Sequence, residues 1–309
     1  MTIQLTMLEV IRAERSGFCF GVKRAVEQVL NLRKQYPDKK ILTVGELIHN
    51  NIFIDRLHSQ GISVVEESDL VELLGHRPLN AVIVIRTHGI RKATSNLLSN
   101  ASKEDPTLKV VDCTCPFVKK IYGIMQDNTS NDTFTILFGN QNHPETIGTS
   151  SFITGNYKIV TSFDEAKELF ESTPVLLTEG KIVLAAQTTQ NHDELLRIKE
   201  LLFSSRPDSL FFDTICNVTG QRQSEIDVLS KNSDVVIVVG GSKSSNTQKL
   251  YHIAKDNCEN TYLVNDAKEL PAQAFIHDGR ITVTAGASTP DDLIDDVIHA
   301  LKTHKNTKN

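Results

Sequence analysis

The feature that most constrains the fold is a unit recurring along the chain: a short apolar strand, a polar or glycine turn, then a helix. "AVIVIRTHGIRKATSNLL", "KIVLAAQTTQNHDELLRIKELL", "VVIVVGGSKSSNTQKLYHIA" and "ITVTAGASTPDDLIDDVI" all carry it. So do "VIRAERSGFCFGVKRAVEQVL", "LKVVDCTCPFVKKIYGIM", "TFTILFGNQNHPETIG" and "LFFDTICNVTGQRQSEIDVL". Continuous β-branched runs such as "VVIVV" suit strands buried on both faces, as parallel sheets require. The alternation predicts an α/β protein whose mainly parallel sheets are covered by helices.

Composition narrows the partners. With 39% hydrophobic and 23% charged residues the chain is an ordinary globular one. Its net charge of −5 supplies no broad basic footprint, so no nucleic-acid partner is expected. No apolar run approaches the roughly 18 residues of a membrane span, so no membrane association is expected. The opening "MTIQLTMLEVIRAERSG" lacks a long apolar stretch and carries acidic residues, unlike a secretory signal or transit peptide. A cytoplasmic location follows as the expectation.

Cysteine usage gives the organisation. Five cysteines, an odd number, argue against a disulfide framework and leave metal binding, catalysis or core packing. Cys19, Cys115 and Cys216 each stand at a strand-to-helix junction, and successive members lie about 100 residues apart, the length of one small domain. Three similar α/β lobes are therefore expected, each delivering one cysteine. The expected boundaries are a segment 1–20 that carries the first cysteine and packs with the third lobe, then lobes 21–115, 116–212 and 213–301, and a polar tail 302–309. Ligands of open parallel sheets collect outside the carboxyl ends of the strands, where all three junctions lie.

Pro116 favours the first helical position and puts Cys115 at the N-cap. A helix N-terminus favours thiolate, the form that binds metal. Cys113, read as still on its strand, and Cys258, in polar "KDNCENT", match no such junction. A lone cysteine is commonly a small buried apolar residue; three at equivalent junctions call for another reading. Three thiolates suit zinc or an iron–sulfur cluster. A closed zinc site normally takes a fourth protein ligand and often close CxxC pairs, which are absent here. A 4Fe–4S cluster held by three cysteines leaves one iron open as a Lewis acid.

The other junctions are furnished alike. "ELIHNN" offers His49, "IRTHGI" His88, and "GNQNHPE" His143 and Glu145. "AAQTTQ" offers Thr188 and Thr189, "SKSSN" Ser244, Ser245 and Asn246, and "TAGASTPDD" Ser288. Histidines, hydroxyls and amides at helix N-termini make a cradle for a phosphate or diphosphate. Taken singly, each is an ordinary cap or a satisfied histidine; the signal is their joint placement at the same end of the strands.

These motifs, with "GFCFGVKRA", "DCTCP" and "TIC", follow one another from residue 17 to 288 as they do in one family. The chain closely resembles the 4-hydroxy-3-methylbut-2-enyl diphosphate reductase (LytB) family. The resemblance implies three α/β lobes arranged pseudo-threefold around a central 4Fe–4S cluster, held by Cys19, Cys115 and Cys216. It implies that His49, His88, His143, Ser244, Ser245, Asn246 and Ser288 surround the substrate diphosphate, with Thr188 and Thr219 contacting the substrate or its proton network. The implied catalytic residues are Glu145, which would supply protons, His143 and Thr188. The implied reaction is reductive dehydroxylation of (E)-4-hydroxy-3-methylbut-2-enyl diphosphate to isopentenyl and dimethylallyl diphosphate, the last step of the non-mevalonate pathway, with the substrate oxygen on the open iron. A low-potential donor such as ferredoxin or flavodoxin is implied, and the chain carries no flavin or nicotinamide motif. Departures from the family pattern are Cys113 for a small non-thiol residue, Phe20 for a frequent alanine and Asn217 for a frequent aromatic. Quinolinate synthase and the diphthamide-forming enzymes also bring one cysteine from each of three domains; the ordered "NHPE", "SKSSN" and "AGAS" motifs distinguish this chain from them. A redox sensor would need neither the anion-binding ring nor Glu145, and a zinc-stabilised binding protein would differ in colour and metal content.

Overall fold

In the computed structural model the residues described are 8–173, 180–276 and 278–303. The polar tail expected at 302–309 lies outside them from residue 304 onward. The fold is α/β with three four-stranded sheets, in which every pairing is parallel.

One sheet holds β2 (Lys40–Val44), β3 (Ile62–Val65), β4 (Ala81–Ile85) and β5 (Lys109–Asp112), in the order β3-β2-β4-β5. The next holds β6 (Thr133–Phe138), β7 (Asn156–Val160), β8 (Lys181–Ala186) and β9 (Leu210–Phe211), in the order β7-β6-β8-β9. The third, with β10 (Val235–Val239), β11 (Thr261–Val264) and β12 (Arg280–Ala285), is completed by β1 (Glu9–Arg12) in the order β1-β12-β10-β11. Written from the other edge, that order matches the first two sheets strand for strand. The first strand of the chain thus takes the place in the third sheet that β5 and β9 take in theirs.

The chain divides into two compact units. One comprises Met1–Lys23, His49–Asp55 and Asn217–Asn309 and contains the third sheet; the other comprises Arg24–Ile48 and Arg56–Cys216 and contains the first two. The boundaries fall inside α1 (Phe20–Gln35), between Ile48 and His49, inside α2 (Asn51–Ser59) and directly after Cys216.

Side-chain alternation explains why these runs are apolar throughout. Val235, Ile237 and Val239 enter one core with Ile294 and Val297 of α11 (Asp291–Thr303). The intervening Val236 and Val238 enter another with Ile226 of α9 (Asn217–Ser230) and Leu250 of α10 (Ser245–Asn257). In the second sheet Ile136, Phe138, Ile182 and Leu184 face one core, and Leu137, Val183 and Ala185 the other. Each of the larger of these side chains contributes about 1.5–3 kcal/mol when fully buried, so a strand covered on both faces gains on both.

Four strands, β2, β3, β7 and β11, lie outside the eight strand–helix units legible in the sequence. Three of them, β3, β7 and β11, stand at sheet edges, where β7 is the largely exposed "NYKIV". Cys113 lies one residue past the end of β5 rather than on it.

Candidate active site

The three sheets end alike. Cys19, Cys115 and Cys216 follow the corresponding edge strands β1, β5 and β9, and each directly precedes a helix: α1, α5 (Pro116–Asn128) or α9. The main-chain N–H of each donates to a carbonyl two residues past the neighbouring inner strand. Cys19 N–H reaches Ala287 O at 3.1 Å, Cys115 N–H reaches Thr87 O at 2.9 Å and Cys216 N–H reaches Thr188 O at 3.0 Å. Cys115 is the N-cap of α5, with Pro116 in its first turn. All three are partly accessible thiols.

The other two cysteines are packed away. Cys113 is fully buried, its thiol donates to Gln28 Oε1 at 3.3 Å, and burial pushes that thiol up to about 11. The Cys258 thiol donates to Ser233 O at 3.4 Å.

Glu145 is a carboxyl far outside its ordinary range. It sits in the first turn of α6 (Pro144–Ser150), 1% exposed, at the end of β6. One carboxylate oxygen accepts the Thr188 N–H at 2.6 Å and the other the Thr188 hydroxyl at 2.7 Å. Burial raises the carboxyl to about 7 against the opposing pull of those two hydrogen bonds. His143 caps the same helix through Nδ1, which accepts the Glu145 N–H at 3.2 Å. Its ring meets that of His88 edge-on, with centroids 5.2 Å apart. Thr188 therefore connects the acid to a cysteine: its hydroxyl and N–H hold Glu145, and its carbonyl holds Cys216.

In the unit containing the third sheet a second cluster forms. Ser244 is the N-cap of α10, Ser245 opens it and Asn246 follows. The Ser288 hydroxyl lies 3.4 Å from that of Ser244 and donates to the His49 carbonyl at 3.2 Å. Both polar atoms of the buried Asn246 side chain lack a hydrogen-bond partner among the described residues. Buried amides are nearly always satisfied, so this one is an exception. Thr219 is buried on α9, three residues past Cys216.

Several supporting residues escaped the sequence reading. Tyr122 is wedged so close to Gly89, beside His88, and Gly148, on α6, that a Cβ at Gly148 would lie 2.5 Å from its hydroxyl. Gln187 Oε1 accepts from Asn140 N–H at 3.0 Å and Thr146 Oγ1 at 3.1 Å, tying the turn after β8 to the turn after β6. On α9 the buried positions Thr219, Arg222, Gln223 and Ile226 form a helical stripe that is mostly polar, and polar residues at core spacing were the signal available.

Three all-parallel sheets, each with a cysteine at the strand-to-helix turn after the corresponding edge strand, define an α/β protein of three alike lobes. The chain belongs to the LytB family: the model of the LytB protein family matches residues 10–302. A Caldanaerobacter subterraneus subsp. tengcongensis protein named 4-hydroxy-3-methylbut-2-enyl diphosphate reductase is 38% identical over 96% of this chain and 98% of its own length. A Thermoanaerobacter sp. protein of the same name is 40% identical over 96% and 97%. Among solved structures, (E)-4-hydroxy-3-methyl-but-2-enyl diphosphate reductase, described as the terminal enzyme of the non-mevalonate pathway, is 31% identical, with a TM-score of 0.65 over 96% of this chain and 99% of that one. The E-1-hydroxy-2-methyl-but-2-enyl-4-diphosphate reductase from Plasmodium falciparum is 27% identical, with a TM-score of 0.80 over 96% and 88%. Among the described residues no helix is long and apolar enough to cross a membrane.

Proposed function

We propose that the chain reduces (E)-4-hydroxy-3-methylbut-2-enyl diphosphate to isopentenyl and dimethylallyl diphosphate in the cytoplasm, with electrons from a low-potential ferredoxin or flavodoxin. The balance is one allylic C–O bond broken, two electrons and two protons taken up, and one water released. The observation that carries this reading is the Glu145–Thr188–Cys216 connection, which joins a neutral-pH acid to a candidate metal ligand through one residue.

The residues present fit a 4Fe–4S cluster. Cys19, Cys115 and Cys216 are accessible soft donors in one repeated local geometry, whereas Cys113 and Cys258 are buried and bonded elsewhere. Such a cluster supplies a Lewis-acidic iron without a protein ligand and a relay for single electrons. Glu145 holds a proton near neutral pH and gives it to the departing hydroxyl, which leaves as water. Thr188 fixes the orientation of both carboxyl oxygens. His143, and His88 against it, shape the pocket wall next to that acid. Ser244, Ser245, Asn246, Ser288 and His49 bind the diphosphate, and Thr219 contacts the substrate.

The reading is tested by anaerobic purification, cluster reconstitution and oxidation of a reduced viologen by the hydroxylated allylic diphosphate. A reconstituted protein that oxidises no viologen when substrate is added refutes it.

Asn246 gives a separate prediction. A buried amide without partners costs about 1–3 kcal/mol in the ligand-free protein. Asn246→Leu, nearly the same shape, will raise the ligand-free melting temperature while raising KM for the diphosphate about tenfold or more. A lower melting temperature with unchanged KM would show that Asn246 serves packing alone.

A further inference from the structure

Two guanidinium groups are built against the cysteine turns. Arg24, on α1, donates through Nη2 to the carbonyls of Cys113, at 3.1 Å, and Thr114, at 2.7 Å. Those carbonyls belong to the two peptide planes that lead into Cys115. The opposite edges of the same planes are held as well: Thr114 N–H donates to Asp112 Oδ1 at 2.8 Å and Cys115 N–H to Thr87 O at 2.9 Å. A peptide unit is rigid, so holding both edges stops its rotation. On the other side of Cys115, its carbonyl accepts the Lys119 N–H at 3.0 Å. The Cα of Cys115 thus stands between fixed planes, and the direction of its Cβ is set in advance.

Arg222, on α9, does the corresponding work at Cys19. It donates through Nη2 to Gly17 O at 2.6 Å and through Nη1 to Ala285 O at 3.0 Å. These carbonyls lie two residues before the two partners of the Cys19–Ala287 bond, so one planar fork braces the turn on both strands. Gly17 itself is left-handed, with φ +89°, a conformation open to a residue without a Cβ. At Cys216 the equivalent place, two residues earlier, is Thr214. Its hydroxyl donates to Ala186 O at 2.6 Å and accepts the Ala186 N–H at 2.8 Å. Each sheet therefore braces the residue two before its cysteine, two of them with a guanidinium.

We infer that Arg24 and Arg222 are positioning residues that pre-set the Cys115 and Cys19 turns for a metal cluster, an inference that rests on reading those thiols as cluster ligands. Each arginine holds the carbonyl two residues before a ligand, and each places a cation close behind it. Geometry governs how firmly the metal is kept, and the charge raises the potential of an anionic cluster. An ammonium restores the charge but not the planar two-point fork.

The test uses the full chain, reconstituted anaerobically, with Arg24→Met, Arg24→Lys, Arg222→Met and Arg222→Lys. Arg33→Met is the control, because Arg33 also lies on α1 and donates to main-chain carbonyls, those of Tyr36, Pro37 and Lys39, away from every cysteine. Iron loss to a chelator and the midpoint potential are measured. The Met variants at 24 and 222 should lose iron roughly 10-fold faster or more, the scale of outer-shell partners of metal ligands, and show a lowered potential. The Lys variants should recover the potential and not the retention, while Arg33→Met behaves as the parent. Where a Met variant does not fold, its Lys counterpart decides through the retention rate. Retention and potential equal to those of Arg33→Met overturn the inference while the cluster reading stands. A parent chain that takes up no iron overturns both.

Discussion

Serine at Cys19, Cys115 or Cys216 will leave a folded chain that keeps roughly a tenth or less of the parent's iron after anaerobic reconstitution. Serine preserves size and hydrogen bonding, and the main-chain bonds that shape these turns do not involve the thiol. What is lost is a soft anionic donor, which an alkoxide does not replace near neutral pH. The same change at Cys113 or Cys258 will retain the cluster. Its cost there is stability, because a buried thiol bonded to Gln28 or Ser233 becomes a more polar hydroxyl in a packed site. Iron content, visible absorption and thermal melting on all five variants check the assignment. Iron lost from Cys113→Ser but kept by Cys115→Ser would reverse it.

Glu145→Gln will keep the cluster and the substrate affinity and lower turnover by roughly 10²-fold or more, the usual scale for losing a general acid. The amide occupies the same volume beside Thr188 but carries no acidic proton. In the parent, burial holds this carboxyl at about 7, so the protonated, competent form dominates below that pH. Turnover should therefore be flat on the acid side and fall as pH rises through about 7, and the variant should lose that limb. Linkage has the same sign. An acid raised from 4.5 to about 7 on folding favours the folded state most below the ordinary carboxylate range, and that contribution fades as pH rises through the folded value. The melting temperature of the parent relative to Glu145→Gln should thus decline between those limits. Near-normal turnover by a cluster-loaded Glu145→Gln would assign the proton to another group, the substrate diphosphate first.

How far the sequence reached is clear from individual residues. The β-branched runs announced parallel strands because a strand buried on both faces needs apolar side chains at every position. The cysteines separated into two groups because helix starts are local events: Pro116 after Cys115 states the cap outright. Glu145 was singled out as a proton donor by "HPE" and the family resemblance, and a desolvated carboxyl there was expected to be a weaker acid than usual; how far it shifts depends on burial and on Thr188, which is distant in sequence.

Everything that depended on pairing between distant segments was decided by the tertiary structure. The sequence leads us to expect the first segment beside the third lobe; that β1 pairs with β12, in the place β5 and β9 occupy in theirs, follows from hydrogen bonds that no local pattern encodes. The arginines in "GVKRA" and "GQRQ" carry no local signal of their role. Only the folded chain turns them inward, where carbonyls at the ends of other strands meet them. Periodicity and caps are written over a few residues and can be read from the sequence. The partner of a buried polar group is chosen across the whole chain, and it was the fold that chose it.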